Sequence, residues 1–393
     1  MKKTSIFFIT CIFSFSVFAQ NSKSVKIEKF LKGNIQDKTV AVREASGNEA
    51  VWLCENSISF VLESKELLGN DRELDGLAVA AVLSYPQDYV RTVSDSSKEL
   101  LLGKFISVFK SFNSSPNVQV TVISKLNSLS DELNLLPFVK ELNSVISNNN
   151  QVLDISVKKS ILNFLSLYGN NESFVVCFNL WNSRKSPDLE NELSNSLVSL
   201  IPVSMTEASA VISMSDVDCI NRFFRLICDN VSKIPDNYFC RLAENVLSNT
   251  ILMVRNSLCS LRDVSAIQIK CVQVLGEYRW TRASVVVLDF FAQSRVLYSE
   301  NQLSENDFIK VIKALGETAP LDAVPVLIEY LEVLNSRVER FESVSDSVAL
   351  EVIKTLGTIG DKSAFDSLLG VTYYPYSQTV LDAARDALAA LRW

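Results

Sequence analysis

The chain has 393 residues, 48% of them apolar and 21% charged, with a net charge of −7 and no histidine. The missing imidazole excludes Ser-His-Asp and Cys-His catalysis and any histidine-ligated zinc or iron. Lys and Arg are scattered through an acidic chain, whereas nucleic-acid binding needs massed cations, so no nucleic-acid partner is expected.

Lys2 and Lys3 precede an apolar run from Ile6 to Phe18, and Val17-Phe18-Ala19 resembles a cleavage site. Residues 1–19 therefore read as a signal peptide cut after Ala19, placing the mature chain in the periplasm or otherwise outside the cytoplasm. The run is shorter than the ~20 residues that a spanning helix needs. Cys11 lies inside it, too early for a lipid attachment site. No later stretch is long and apolar enough to cross a bilayer, so the mature chain is expected to have no transmembrane span.

From 20 to 235, helical apolar spacing appears around 48–64, 73–84, 98–111, 117–129, 157–167, 174–180, 190–200 and 219–231. Polar turns such as Ser114-Ser115-Pro116 and Ser147-Asn148-Asn149-Asn150 separate these stretches. No sustained strand alternation occurs. The region reads as degenerate helical repeats, with a separate irregular helical domain as the alternative.

From 236 to 393 the repetition is explicit. Val274-Leu275-Gly276-Glu277, Ala314-Leu315-Gly316-Glu317 and Thr355-Leu356-Gly357-Thr358 recur with glycines 40 and 41 residues apart. Seven positions on stand Ala283, Ala323 and Ala364, followed by Val287-Leu288, Leu327-Ile328 and Leu368-Leu369. A fixed period of this size predicts stacked helical hairpins. Each copy reads as a first helix, a glycine turn and a second helix, with Pro320 and Pro325 in early positions of the second. Asp361 is placed to cap a second helix. The second helices are expected at 281–293, 321–333 and 362–370. Residues 379–391 read as one more first helix that caps the end.

Leu356-Gly357-Thr358-Ile359-Gly360-Asp361-Lys362-Ser363-Ala364-Phe365 and Asp322-Ala323-Val324-Pro325-Val326-Leu327 resemble the HEAT repeat of the PBS-lyase type. The resemblance covers about residues 262–393. It implies an all-α fold, an α-α superhelix or solenoid of stacked hairpins, with second helices lining its concave side. Tyr278-Arg279-Trp280 and Thr318-Ala319-Pro320 depart from the family pattern.

Beyond Cys11 there are seven cysteines, an odd number without a CxxC pair. They read as buried core residues, or as a disulfide among Cys219, Cys228, Cys240, Cys259 and Cys271, which an exported chain permits. With no HExxH, P-loop or GxGxxG motif, neither metal nor cofactor is expected.

Candidate surface residues follow from the repeat. Asp289 and Glu329 both stand thirteen after the glycine, with Glu332 one turn on, giving either an acidic ridge for a basic partner or an ordinary solvated face. Tyr373, Tyr374 and Tyr376 follow the last full repeat, as an interface or as cover for its open end. Trp280, Arg279 and Arg282 form either an anion or aromatic site or a self-contained stack. Glu277 and Glu317 read as turn residues rather than an acid/base pair.

The expected function is a non-enzymatic periplasmic scaffold that binds an unidentified cell-envelope protein along its concave surface. The alternatives are a small-molecule adaptor, by analogy with lyases of the same repeat class, and a self-associating envelope component.

Overall fold

The structure, a computed structural model, describes residues 25–148 and 153–392. The expected signal peptide, with Cys11 and Ala19, lies outside these residues, as do Asn149, Asn150 and Trp393. The described residues form twenty-one α-helices with short 3-10 turns and no strand, so the all-α class holds. None of these helices alone is long and apolar enough to cross a membrane.

Contacts divide the chain into two units, one ending at Phe138 and one beginning at Val139. The sequence boundary at 235/236 marks something different, the point where the repeat becomes recognisable.

The first unit contains α1 (Val25–Lys32), α2 (Ile35–Glu44), α3 (Gly47–Leu68), α4 (Arg72–Leu83), α5 (Gln87–Thr92), α6 (Asp95–Ser111) and α7 (Pro116–Ser128). Helix α2 packs on α4, α4 on α7, and α3 on α6. Phe105, Phe109 and Phe112 are fully buried, and Tyr85 meets Phe105 edge-on at 5.8 Å. The Lys125 ammonium donates to the carbonyls of Leu83 (3.2 Å) and Tyr85 (2.6 Å), satisfying acceptors that the end of α4 leaves open. Burial lowers its pKa.

Next come α8 (Leu136–Ser147), α9 (Ile155–Tyr168), α10 (Asn171–Ser183), α11 (Glu190–Leu200), α12 (Met205–Met214), α13 (Val217–Asp229) and α14 (Asp236–Arg255). The chain continues with α15 (Leu261–Glu277), α16 (Ser284–Ser299), α17 (Glu305–Thr318), α18 (Pro320–Glu339), α19 (Asp346–Ile359), α20 (Phe365–Val371) and α21 (Gln378–Ala390). From α9 to α21 each odd-numbered helix touches the next odd one, and from α10 to α20 each even-numbered helix the next even one. Each predicted helical stretch is found. The short helices α1, α2, α5, α8 and α12 were not foreseen.

The repeat residues sit where the apolar core needs them. Leu275, Leu315 and Leu356 are fully buried, as are Ala283, Ala323 and Ala364. Their glycines, however, are not turns. Gly276, Gly316 and Gly357 lie inside the last turns of α15, α17 and α19. A Cβ on Gly276 would stand 2.8 Å from the Ala314 Cα, and one on Gly357 would stand 2.8 Å from the Ala387 Cβ. Close helix approach, not a left-handed turn, selects glycine there. The left-handed glycine is Gly360, which ends α19 at φ +75°. Pro325 also departs from expectation. Pro320 opens α18, but Pro325 is inside that helix, on its exposed side. Asp361 caps as predicted, accepting from the Ser363 amide at 2.8 Å. The first two second helices run on to Ser299 and Glu339, beyond their predicted ends.

All seven described thiols are free, and five are buried. Burial pushes Cys54 and Cys177 up to about 12 and Cys240 to about 11. A thiolate is the reactive form, so in the native protein a thiol reagent at pH 8 should label chiefly Cys259 and Cys228. Labelling of all seven at one rate would contradict this packing.

Candidate functional site

The even-numbered helices of the second unit carry the predicted acidic residues, and each has a partner. Asp289 on α16 pairs with Arg255 at the end of α14. Glu329 on α18 accepts from both terminal nitrogens of Arg295 on α16, each at 3.1 Å. Arg184, just after α10, and Asp218, in the first turn of odd-numbered α13, pair at the same offset of 34 residues but off this face. Glu332 accepts from the Ser367 hydroxyl at 3.0 Å. The ridge is therefore a ladder of alternating charge joining one layer to the next, rather than a bare acidic strip.

Exposed apolar side chains share these helix faces. Val285, one turn before Asp289, is 73% exposed, and Leu252, close before Arg255, is 48% exposed. Val333, one turn after Glu329, is 43% exposed. Ser248, Ile251, Leu252, Val285, Val286 and Asp289 line a groove of about 420 Å³ between α14 and α16.

The tyrosines separate. Tyr373 is 76% exposed and Tyr374 half-buried. Tyr376 is buried, and its hydroxyl donates to the Asn335 Oδ1 at 3.0 Å. Tyr376 therefore offers nothing to a partner: its loop folds back and seats the ring against α18.

The arginines around Trp280 also separate. The Arg282 guanidinium lies 5.8 Å from the Trp280 ring centre, and the indole N–H donates to Glu244 at 2.8 Å. Arg279 turns to Glu317, at 2.8 Å.

That last pair opens on a groove that sequence reasoning missed. It crosses α15, α17 and α19 as two adjoining hollows of about 440 and 360 Å³ that share Arg279, Lys313 and Glu317. Lys354 and Arg392 complete its cationic lining at the far end. Gly276 and Gly316 contribute to the walls without any side chain. A signal existed in the sequence: Lys313 and Lys354 both stand three residues before the repeat glycine.

Half-buried Glu351 lies in the same groove. Burial raises its carboxyl pKa, against the opposing pull of Lys313 and Lys354. Its folded pKa thus exceeds its unfolded one. The stability it contributes is present below the ordinary value near 4.5 and is lost as pH rises through the raised folded value. Glu351→Gln should therefore stabilise the fold slightly at pH 7, by less than about 1 kcal/mol, seen as a small rise in melting temperature, and give no such gain at pH 4. A clear loss at pH 7 would mean that the two lysines outweigh burial.

Among the described residues, no group of three or more Cys, Asp or Glu side chains gathers as a metal ion would require. Comparison with protein-family models, with characterised proteins and with solved structures returns no match.

Proposed function

We propose that this chain is a non-enzymatic helical-repeat scaffold of the HEAT type, an α-α superhelix that holds another protein along its second helices. The alternating contacts of odd with odd and even with even helices support stacked hairpins. So does the recurrence of an arginine–carboxylate pair at one offset, from α14 to α16 and from α16 to α18.

The observation that carries the binding role is the mixed face of α14, α16 and α18. It presents exposed Leu252, Val285 and Val333 beside paired charges and over an open groove. Apolar anchors within a polar surround are what a protein interface needs. The paired carboxylates then fix register rather than attract a basic partner. The reading of residues 1–19 as a signal peptide favours a partner in the cell envelope.

The test is a photo-crosslinking residue at position 285 of the exported protein. One dominant envelope adduct is expected. It should be lost when Leu252→Glu is added and weakened by Asp289→Arg with Glu329→Arg. No specific adduct, or one indifferent to Leu252→Glu, sinks the assignment. Turnover of a substrate by the purified chain alone would end the non-enzymatic reading.

A further inference from the structure

We infer that the groove across α15, α17 and α19 is a second docking site, separate from the second-helix face, that takes an extended acidic segment of a protein.

Charge placement is the first argument. Lys313 and Lys354 hold the same repeat position on successive first helices, are exposed, and have no carboxylate within 4 Å among the described residues. Arg392 extends the line at the Lys354 end, while Arg279 stands where the two hollows meet, paired with Glu317. The protein as a whole carries −7, so this cationic line runs against its own background. A field of that kind selects a negative ligand and rejects a positive one.

Spacing is the second argument. Helices in contact lie about 8–10 Å apart, and the glycines hold these at the close end of that range. Each layer therefore presents one cation per helix width. A polyproline-II chain rises about 3.1 Å per residue and returns every third side chain to the same side, so roughly three residues cover one layer. A segment with a carboxylate at every third residue matches the line of cations. A compact anion such as phosphate reaches only one layer.

Form is the third argument. The Thr355 methyl lies over Gly316, and with Thr358 these small residues line a hollow of about 360 Å³ between α17 and α19, with room for a main chain. Of the three acids lining the two hollows, Glu317 is engaged by Arg279, Glu351 is half-buried, and exposed Glu277 lines only the hollow between α15 and α17; both lysines are exposed, so along the hollow between α17 and α19 they meet an incoming carboxylate from the solvent side. Arg279 itself has φ +50° at the position that Gly360 fills in the third copy at φ +75°. A side chain in that region costs about 1 kcal/mol or more, and here the residue kept in it is the cation between the two hollows, which holds Glu317.

The test is fluorescence anisotropy of the whole protein with a labelled peptide of five Glu-Gly-Ser triplets. Saturable binding that weakens with added salt is expected. Lys313→Glu with Lys354→Glu should weaken it by roughly tenfold or more, with the helical circular dichroism unchanged. Leu252→Glu, which disables the second-helix face, should leave it intact, so the two sites succeed or fail separately. Equal binding of a Lys-Gly-Ser peptide, or unchanged binding by the double variant, overturns the inference. So does tighter binding of a labelled oligonucleotide, or complete displacement by inorganic phosphate at a concentration equal to that of the peptide.

Discussion

Replacing Phe308 by alanine is expected to remove about 3–5 kcal/mol of stability and lower the melting temperature of the second unit by roughly 10 °C. Phe308, on α17, is fully buried. It stacks on Tyr298 at 4.7 Å and on Phe291 at 6.0 Å, and meets Tyr330 edge-on at 5.6 Å. Those three rings come from α16 and α18, so the side chain ties one hairpin to the next. Alanine leaves a cavity bounded by stiff aromatic faces, which collapse poorly, and it forfeits ring pairings worth about 0.5–1.5 kcal/mol each. Phe308→Leu preserves most of the volume and should cost less than about 1.5 kcal/mol. In a chain of stacked neighbours the damage is local before it is global. Amide hydrogen exchange should therefore quicken in α16, α17 and α18 while α9 to α11 keep their protection. A loss below about 1 kcal/mol, or exchange that quickens uniformly, contradicts this packing.

The helices were legible because their apolar stripes are set by the burial they serve. Ile312 and Leu315 read as one buried face in sequence and are fully buried in the fold. The glycines were legible as a period but misread as turns. A left-handed cap and a tight helix contact both select a residue without a Cβ, and the local sequence around Gly276 does not distinguish them. Only the third copy carries both kinds, Gly357 for contact and Gly360 for the cap. Helices α1, α2, α5, α8 and α12 escaped because they are short, six to twelve residues, which leaves few turns in which a stripe can repeat. Pairing, not periodicity, holds such segments in place.

The candidate surfaces were less legible for a related reason. Asp289 looks unpaired in sequence because its partner, Arg255, is 34 residues away in the preceding layer. Tyr376 looks like its neighbours Tyr373 and Tyr374, and only the distant Asn335 marks it as internal. Charge that is neutralised across layers leaves no local mark. A search at the repeat offset rather than along each helix would have found the line of Lys313 and Lys354, and a search at 34 residues the ladder.

Large side chains at the repeat glycines are expected to be as damaging as the loss of Phe308. Gly276→Leu should cost about 3 kcal/mol, at the upper end of overpacking, because α15 and α17 would have to separate. Gly276→Ala sets two effects in opposition. Alanine gains about 1 kcal/mol of helix propensity, while its Cβ would lie 2.8 Å from the Ala314 Cα and 2.9 Å from its Cβ. Main chain cannot rotate away, so a net loss is expected. Ala314→Gly removes only one of the two clashing atoms and should rescue it in part. Gly316 offers the contrast. Its added Cβ would meet the Thr355 Cγ2, the end of a side chain, with no backbone atom within 4 Å. Gly316→Ala should therefore cost less than Gly276→Ala, and Thr355→Ser should relieve it almost fully. Denaturant midpoints of the four variants and two pairs measure these couplings directly. Equal costs at 276 and 316, or full rescue by Ala314→Gly, would show that the helices adjust freely and that glycine is not there for their approach.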